Sequence, residues 1–103
     1  MVKLIALYKH PENREDFEEH YEKVHTPLVK KMPGLKRLEV TRIQGAPTGG
    51  KGKYYLEAAM YFDSREDLDK AMSSPEGKAS AKDLMSFAGP LVTMMIGEVS
   101  RDG

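Results

Sequence analysis

The sequence contains no cysteine, and it carries no excess of either charge. The absence of cysteine excludes a disulfide framework, a thiol nucleophile, an iron–sulfur cluster and a Cys-ligated zinc site. The 16 Lys and Arg residues are balanced by 16 Asp and Glu residues. Because a neutral chain has no electrostatic footprint for nucleic acid or an anionic membrane, we expect neither as a partner.

Long apolar runs are missing as well. No run approaches the roughly 20 residues that a membrane span needs, and residues 1–4 begin a strand-like pattern rather than a signal peptide. The sequence therefore predicts a single domain over residues 1–103 and a cytoplasmic location. A chain of about 100 residues buries only a modest core, so association with a second chain has to be considered early.

The first half of the chain predicts a strand followed by an irregular helix. Residues 2–9 are rich in strand formers, and the helix after them begins at Asn13, a residue type that caps helices well. Pro27 predicts a kink in this helix, or a restart that Thr26 caps. The helix shows one apolar stripe at helical spacing, formed by Phe17, Tyr21, Val24 and Leu28.

The second half predicts a hairpin, two short helices and a last strand. Residues 35–43 and 53–62 are strands joined by a glycine-rich loop, Ser64 and Ser74 begin the helices, and residues 91–99 form the last strand. The resulting order, βαββαβ, is typical of an α+β, ferredoxin-like fold. We therefore expect a four-stranded antiparallel sheet with the helices on one face.

The sheet face opposite the helices carries too many apolar residues for a comfortable monomer. Ile5, Leu7, Ala59 and Met95 fall on this uncovered face, together with Tyr55, Tyr61 and one carboxylate, Glu57. A second copy that packs sheet on sheet would cover this patch, so the sequence predicts a homodimer. A carboxylate on a covered face needs a partner or a cavity, which makes Glu57 a candidate second base.

Candidate site residues come from the aromatic and histidine content. Tyrosine is frequent in a chain without tryptophan, and Tyr8, Tyr21, Tyr55, Tyr61 and the adaptable Met95 are predicted to line an apolar pocket. His25 lies beside the apolar stripe and just before Pro27. It either hydrogen-bonds backbone groups freed by the proline or acts as a general acid or base.

The sequence predicts neither a bound cofactor nor a metal. No G-x-G-x-x-G follows a strand, and residues 45–52 match the phosphate-binding pattern only in part, because Gly52 replaces the hydroxyl residue and a strand follows. On an α-helix, His20 and His25 lie about 140° apart, so they cannot share a metal. His20 is interpreted as a surface residue, and Asp83 as part of a solvated helix face.

Several segments resemble the EthD family. The resemblance rests on strand residues 4–8, on the Val24-His25-Thr26-Pro27-Leu28 run, on the segment 32–35 (Met-Pro-Gly-Leu), and more weakly on segments around Tyr61 and Asp83. It implies a ferredoxin-like subunit that forms a dimeric α/β barrel. It also implies an association with ethyl tert-butyl ether degradation beside an oxygenase system, and it matches His25 to the histidine of the family's His-x-Pro-Leu motif.

Four functional hypotheses arise from the residues and the resemblance together. The first is a cofactor-free enzyme for a small apolar molecule, an isomerase, dehydratase, cyclase or monooxygenase, with His25 and Glu57 as catalytic groups. Family members are often labelled reductases, but the residues show no dinucleotide motif. The alternatives are a non-catalytic binding protein or oxygenase partner, a purely structural dimer, and a haem protein with His25 as axial ligand.

Overall fold

A computed structural model describes residues 1–101, in which the helices pack against one side of a four-stranded sheet. The strands are Val2–Lys9 (β1), Arg37–Arg42 (β2), Tyr54–Phe62 (β3) and Val92–Glu98 (β4). The helices are Arg14–His20 (α1), Thr26–Lys30 (α2), Arg65–Ser73 (α3) and Pro75–Ala88 (α4), and a π-helical turn, Tyr21–His25, joins α1 to α2. Within residues 1–101, no helix is long and apolar enough to cross a membrane.

The sheet has the strand order β2-β3-β1-β4, and each neighbouring pair is antiparallel. This arrangement is the ferredoxin-like topology, and it confirms the predicted fold. The two central strands are apolar on the side that faces the helices. Their buried residues there are Leu4, Ala6, Tyr8, Leu56, Ala58, Met60 and Phe62.

Three side chains cap the helices as the sequence predicted. The backbone N–H of Asp16 donates to Asn13 Oδ1 at 3.0 Å. The N–H of Asp67 donates to Ser64 Oγ at 3.1 Å, and Ser74 accepts from the third residue of α4 at 3.0 Å. Each cap satisfies an N–H that the helix itself leaves free, which fixes where the helix begins.

The π-helical turn changes the prediction made for Pro27. Thr26 donates its backbone N–H to the carbonyl of Tyr21, five residues back, instead of four. Proline cannot donate in a helix, and its ring crowds the carbonyl four residues before it. The wider turn carries the helix past this point without a break, so the predicted restart capped by Thr26 is wrong.

The same turn moves the apolar stripe by one residue. Val24 was predicted to be buried but is 42% exposed, and Leu28 is only half-buried. The buried stripe after Tyr21 instead continues through His25 and Val29. An extra residue in one turn rotates every later residue of the helix, and this is why a regular 3.6-residue period misplaced the second half of the stripe.

A β-bulge corrects the predicted position of Tyr55. Tyr8 pairs with Leu56 while Lys9 pairs with Tyr54, so β3 contains one extra residue at this point. The bulge places Tyr55 on the helix side. Its ring meets that of Phe17 edge-on at 5.8 Å, so Tyr55 does not share the uncovered face with Glu57 as predicted.

The uncovered face has an apolar centre and a polar rim. Ala59 is buried, Ile5 and Leu7 are half-buried, and Met95 is 40% exposed. Tyr61 lies at the rim between two cations, with Lys3 Nζ 5.5 Å and Arg37 Cζ 4.7 Å from its ring centre. The patch therefore lacks Tyr55, and two cations lie beside it at Tyr61.

Candidate functional site

One carboxylate joins two histidines at the meeting of α1, the π-helical turn and α4. Asp83 Oδ1 lies 2.8 Å from His20 Nε2, and Asp83 Oδ2 lies 3.1 Å from His25 Nδ1. Both histidine rings also pack against Phe87, with ring centres 4.4 and 5.2 Å away. The π-helical turn makes this possible, because in a regular α-helix the two histidines would point about 140° apart.

The hydrogen bonds assign the protons on the two rings. An ionised carboxylate can only accept hydrogen bonds, so each nitrogen that contacts Asp83 must carry the hydrogen. His25 is then protonated on Nδ1, which leaves the lone pair on Nε2. A neutral imidazole oriented in this way can accept a proton through Nε2, and the carboxylate stabilises the imidazolium that results.

Burial opposes Asp83 in setting the charge of His25. Removal from water lowers the pKa of His25 below its ordinary value, while the hydrogen bond and the negative charge of Asp83 act in the opposite direction. His20 adds a smaller lowering effect on the pKa of His25. The net direction is downward, so His25 is neutral, and able to act as a base, at neutral pH.

His25 lines an apolar cavity between the helices and the sheet. The cavity has a volume of about 30 Å³, which holds about two water molecules. Its lining also contains Ser80 and two tyrosines, Tyr8 and Tyr21. Most of the remaining surface is aliphatic or thioether, and four methionines contribute to it: Met32, Met60, Met72 and Met94.

Two tyrosines line the same cavity as His25. The ring of Tyr8 meets that of Tyr21 edge-on at 5.7 Å, and the Tyr21 and His25 rings are 5.8 Å apart. Burial raises the pKa of Tyr21 to about 12 and raises that of Tyr8 well above its usual range. Both hydroxyls therefore stay protonated and are able to donate hydrogen bonds at any ordinary pH.

The other predicted site residues do not meet His25 within one chain. Glu57, Tyr61 and Met95 lie on the uncovered face, on the far side of the sheet from the cavity. Within a single chain, Glu57 and His25 therefore lie on opposite sides of the sheet and do not share a pocket. The physical reason is the two-residue period of β3, which alternates Glu57 with the cavity-lining Ala58.

Tyr55 belongs to a separate polar cluster on the helix side. Its hydroxyl donates to Glu18, which also forms a two-pronged ion pair with Arg42 at 2.6 and 3.0 Å. Arg42 lowers the pKa of Glu18, so this carboxylate is ionised. The cluster ties α1 to the end of β2, and Tyr55 does not line the cavity.

Sequence reasoning missed Asp83 and His20 as members of the site. Asp83 is separated from His25 by 58 residues, and nothing in its local pattern distinguishes it from a solvated helix residue. The one available signal was Pro27 after a histidine pair, because a proline late in a helix can force a wider turn. No group of three or more histidine and carboxylate residues within 1–101 is arranged to hold a metal ion.

A family model matches most of the chain. The EthD domain model matches residues 9–90, a range that includes His20, His25 and Asp83. The chain belongs to the EthD family. This confirms the resemblance that the His25-Thr26-Pro27-Leu28 run indicated.

Two relatives of known sequence cover nearly all of the chain. A solved structure of an EthD family protein from Bacillus halodurans is 55% identical, with a TM-score of 0.94, and the match covers 97% of this chain and 99% of the other. An uncharacterised 11.0 kDa protein from the thcB–thcC intergenic region of Rhodococcus erythropolis is 35% identical over 92% of this chain and 91% of its own length.

More distant structures share the fold alone. SnoaB from Streptomyces nogalater, described as a cofactor-independent oxygenase, is 16% identical with a TM-score of 0.64, and the match covers 97% of this chain and 92% of that one. Three further structures, 13 to 18% identical, are described as dimeric proteins of ferredoxin-like fold and unknown function. Dimers therefore occur among proteins of this fold.

Proposed function

We propose that this EthD family protein is a small-molecule enzyme that transfers a proton without a cofactor, with His25 as the base. The observation that carries the proposal is the Asp83–His25 hydrogen bond at the wall of an apolar cavity. A buried base held in one orientation, in a cavity also lined by two tyrosines whose hydroxyls stay protonated, is an arrangement suited to proton abstraction. The cofactor-independent oxygenase of the same fold supports the idea that this architecture accommodates such chemistry.

The lining of the cavity indicates the kind of substrate. Methionine side chains are flexible and polarisable, so a cavity walled by four of them can widen around an apolar molecule. Tyr8 and Tyr21 would hydrogen-bond the oxygen on which negative charge develops when His25 removes a proton. We therefore propose a compact, largely apolar substrate with one weakly acidic C–H or O–H group.

This chemistry limits how the protein could serve ether degradation. A simple alkyl ether has no acidic hydrogen for His25 to remove, so the intact ether is a poor substrate for the proposed reaction. A product of its oxygenation, which carries a hydroxyl or carbonyl group, is a better one. We therefore propose that the protein acts after or beside an oxygenase, and that it does not act on the intact ether.

We further propose that the working form is a cytoplasmic homodimer. The support is the patch formed by Ile5, Leu7, Ala59 and Met95 on the uncovered face, together with the dimeric proteins of the same fold. In such a dimer, Glu57 and Tyr61 would face the second copy. Charges at the edge of an apolar patch are common at interfaces and favour a defined register between partners.

A second candidate function is ligand binding without turnover. The small size of the cavity favours it, because a volume of about 30 Å³ is too small for an organic substrate until side chains move. A binding protein or oxygenase partner would need the apolar lining but not the oriented base. The two functions therefore differ in what His25 contributes.

The test uses 5-nitrobenzisoxazole, an apolar probe that needs only a base. Removal of its ring C–H proton breaks the N–O bond and releases a coloured cyanonitrophenolate, so no other reactant is involved. The variant His25→Asn keeps an N–H donor for Asp83 but has no basic ring nitrogen. His10→Asn is the matched control, because His10 contacts the carbonyl of Gly52 and lies outside the cavity.

We expect the wild type and His10→Asn to release the phenolate at equal rates, and His25→Asn to be slower by at least about 100-fold. Binding of the probe, followed by the shift in the melting temperature, should persist in all three proteins. Binding without turnover in the wild type would favour the second candidate. Equal turnover in the wild type and His25→Asn would refute a role for His25 as the base.

A further inference from the structure

His20 holds the side of Asp83 that His25 leaves free. Its Nε2 lies 2.8 Å from Asp83 Oδ1, a shorter contact than the 3.1 Å between Asp83 Oδ2 and His25. The His20 ring is itself fixed by stacking on Phe87, with the ring planes 29° apart. Both oxygens of the carboxylate are thus engaged, each by a ring from the same helical segment.

Two contacts constrain a carboxylate far more than one does. An aspartate held at a single oxygen can rotate about its Cα–Cβ bond and move the whole carboxylate away from that partner toward solvent. With Oδ1 bound to His20, this movement is restrained and Oδ2 stays on His25 Nδ1. The hydrogen on Nδ1 keeps Nε2 free to act as a base.

We propose that His20 is a positioning residue that, through Asp83, selects the tautomer in which His25 can act as a base. The kinetic part of this inference rests on the proposed function, whereas the tautomer part does not. Without His20, the ring of His25 is free to adopt the other tautomer as well. In that form Nε2 carries a hydrogen, and the ring cannot take up a proton through it.

The π-helical turn supports this role for His20. It brings two residues five positions apart onto one side of the helix, where both reach the same carboxylate of α4. The His20 side chain is 34% exposed and that of His25 is 6% exposed. His20 is therefore the more exposed of the two histidines, and a substitution that keeps bulk against Phe87 preserves most of its packing.

The experiment compares two substitutions of His20. His20→Gln retains an N–H donor within reach of Asp83, and His20→Leu keeps bulk against Phe87 but cannot donate. Glu19→Leu is the control, because Glu19 is the adjacent residue of the same helix and takes no part in the contacts to Asp83. Long-range ¹⁵N–¹H NMR correlations from the ring carbon-bound hydrogens report the tautomer of His25 without any substrate.

We expect the wild type, Glu19→Leu and His20→Gln to show His25 with hydrogen on Nδ1 only. His20→Leu should show a mixture of both tautomers, and its kcat on 5-nitrobenzisoxazole should fall about tenfold with KM nearly unchanged. An unchanged tautomer in His20→Leu, or a loss in His20→Gln as large as that in His20→Leu, would overturn the inference. Absence of turnover in the wild type would instead count against the proposed function.

The wild type provides a measurement that does not depend on whether a variant folds. The contacts require opposite tautomers in the two rings, with hydrogen on Nε2 in His20 and on Nδ1 in His25. The same NMR experiment on the unmodified protein at a pH where both rings are neutral should show this pair. A His20 ring with hydrogen on Nδ1 and none on Nε2 would refute the contact on which the inference depends.

Discussion

The two faces of the sheet contain similar residues but differ in what covers them. In β1, Leu4 and Ala6 face the helices and are almost fully buried, whereas Ile5 and Leu7 alternate with them and remain half-exposed in the single chain. The covered face encloses a cavity with a titratable group at its wall, and the uncovered face carries a patch ringed by charges. An apolar residue in a strand thus predicts burial, but it does not predict whether helices of the same chain or a second chain will cover it.

The two faces also differ in the contacts and exposure of their polar groups. Where α1, the π-helical turn and α4 meet, Asp83 is shared by His20 and His25, and the His25 side chain is only 6% exposed. On the uncovered face, the hydroxyl of Tyr61 donates to Glu39 at 3.3 Å, and the contacts are exposed. The proposed chemistry therefore belongs to the covered face, and the proposed recognition of a second chain to the other.

The largest expected effect comes from comparing two leucines of β1, one on each face of the sheet. Leu4→Ala should lower the free energy of unfolding by about 2–5 kcal/mol, because it leaves a cavity in the closed core. Leu7→Ala, the same substitution three residues later, should cost less than about 1 kcal/mol in the isolated chain. Urea denaturation at low protein concentration measures both values. Equal losses would mean that the two faces are buried alike.

The second prediction concerns what covers the open face. Met95→Lys places a charge within the patch and should weaken self-association by about tenfold or more, since an unpaired charge is costly to bury. Met85→Lys is the matched control, because Met85 is 56% exposed on α4, away from the sheet. Light scattering after size exclusion, over a dilution series, gives the mass of each protein. A wild type that remains monomeric would contradict the proposed dimer.

The smallest expected effect is the pH dependence that originates on the covered face. The pKa of His25 is lower in the folded protein than in the unfolded chain, so below about pH 6.5 the unfolded chain binds a proton that the native ring does not. Stability is fully present above that pH. It falls as the pH decreases toward the folded pKa, by at most about 1.4 kcal/mol per pH unit.

His25→Asn removes this group and should flatten the stability profile over the same pH range. The measurement is urea denaturation of the wild type and the variant at a series of pH values from neutral to mildly acidic. His10→Asn again provides the comparison, and it should behave like the wild type. A slope that survives in His25→Asn would assign the effect to other groups.

The fold was predictable because its signals are local. Asn13, Ser64 and Ser74 cap their helices as expected, and the alternation along β3 correctly indicated the face that carries Leu56 and Met60. These patterns depend on residues a few positions apart. Because helices and strands have regular geometry, these local patterns predict the elements and their order along the chain.

The site was harder to predict because it depends on one irregularity and one distant contact, while a second irregularity moved a predicted member away from it. The bulge moved Tyr55 to the helix side, and the π-helical turn moved His25 into the buried stripe in place of Val24. Each irregularity adds one residue to a regular period, and so it reverses or rotates the side chains beyond it. Asp83 reaches His25 only through the packing of α4, which no local pattern encodes.

The hydrogen bond between His25 and Asp83 also links the two halves of the chain. The base comes from the first β-α-β unit, and its carboxylate comes from the second, 58 residues later. In the sheet, β1 lies between β3 and β4, which are both strands of the second unit, so the first unit completes its sheet only with the second. A fragment that contains the first unit alone would therefore contain His25 without its orienting carboxylate.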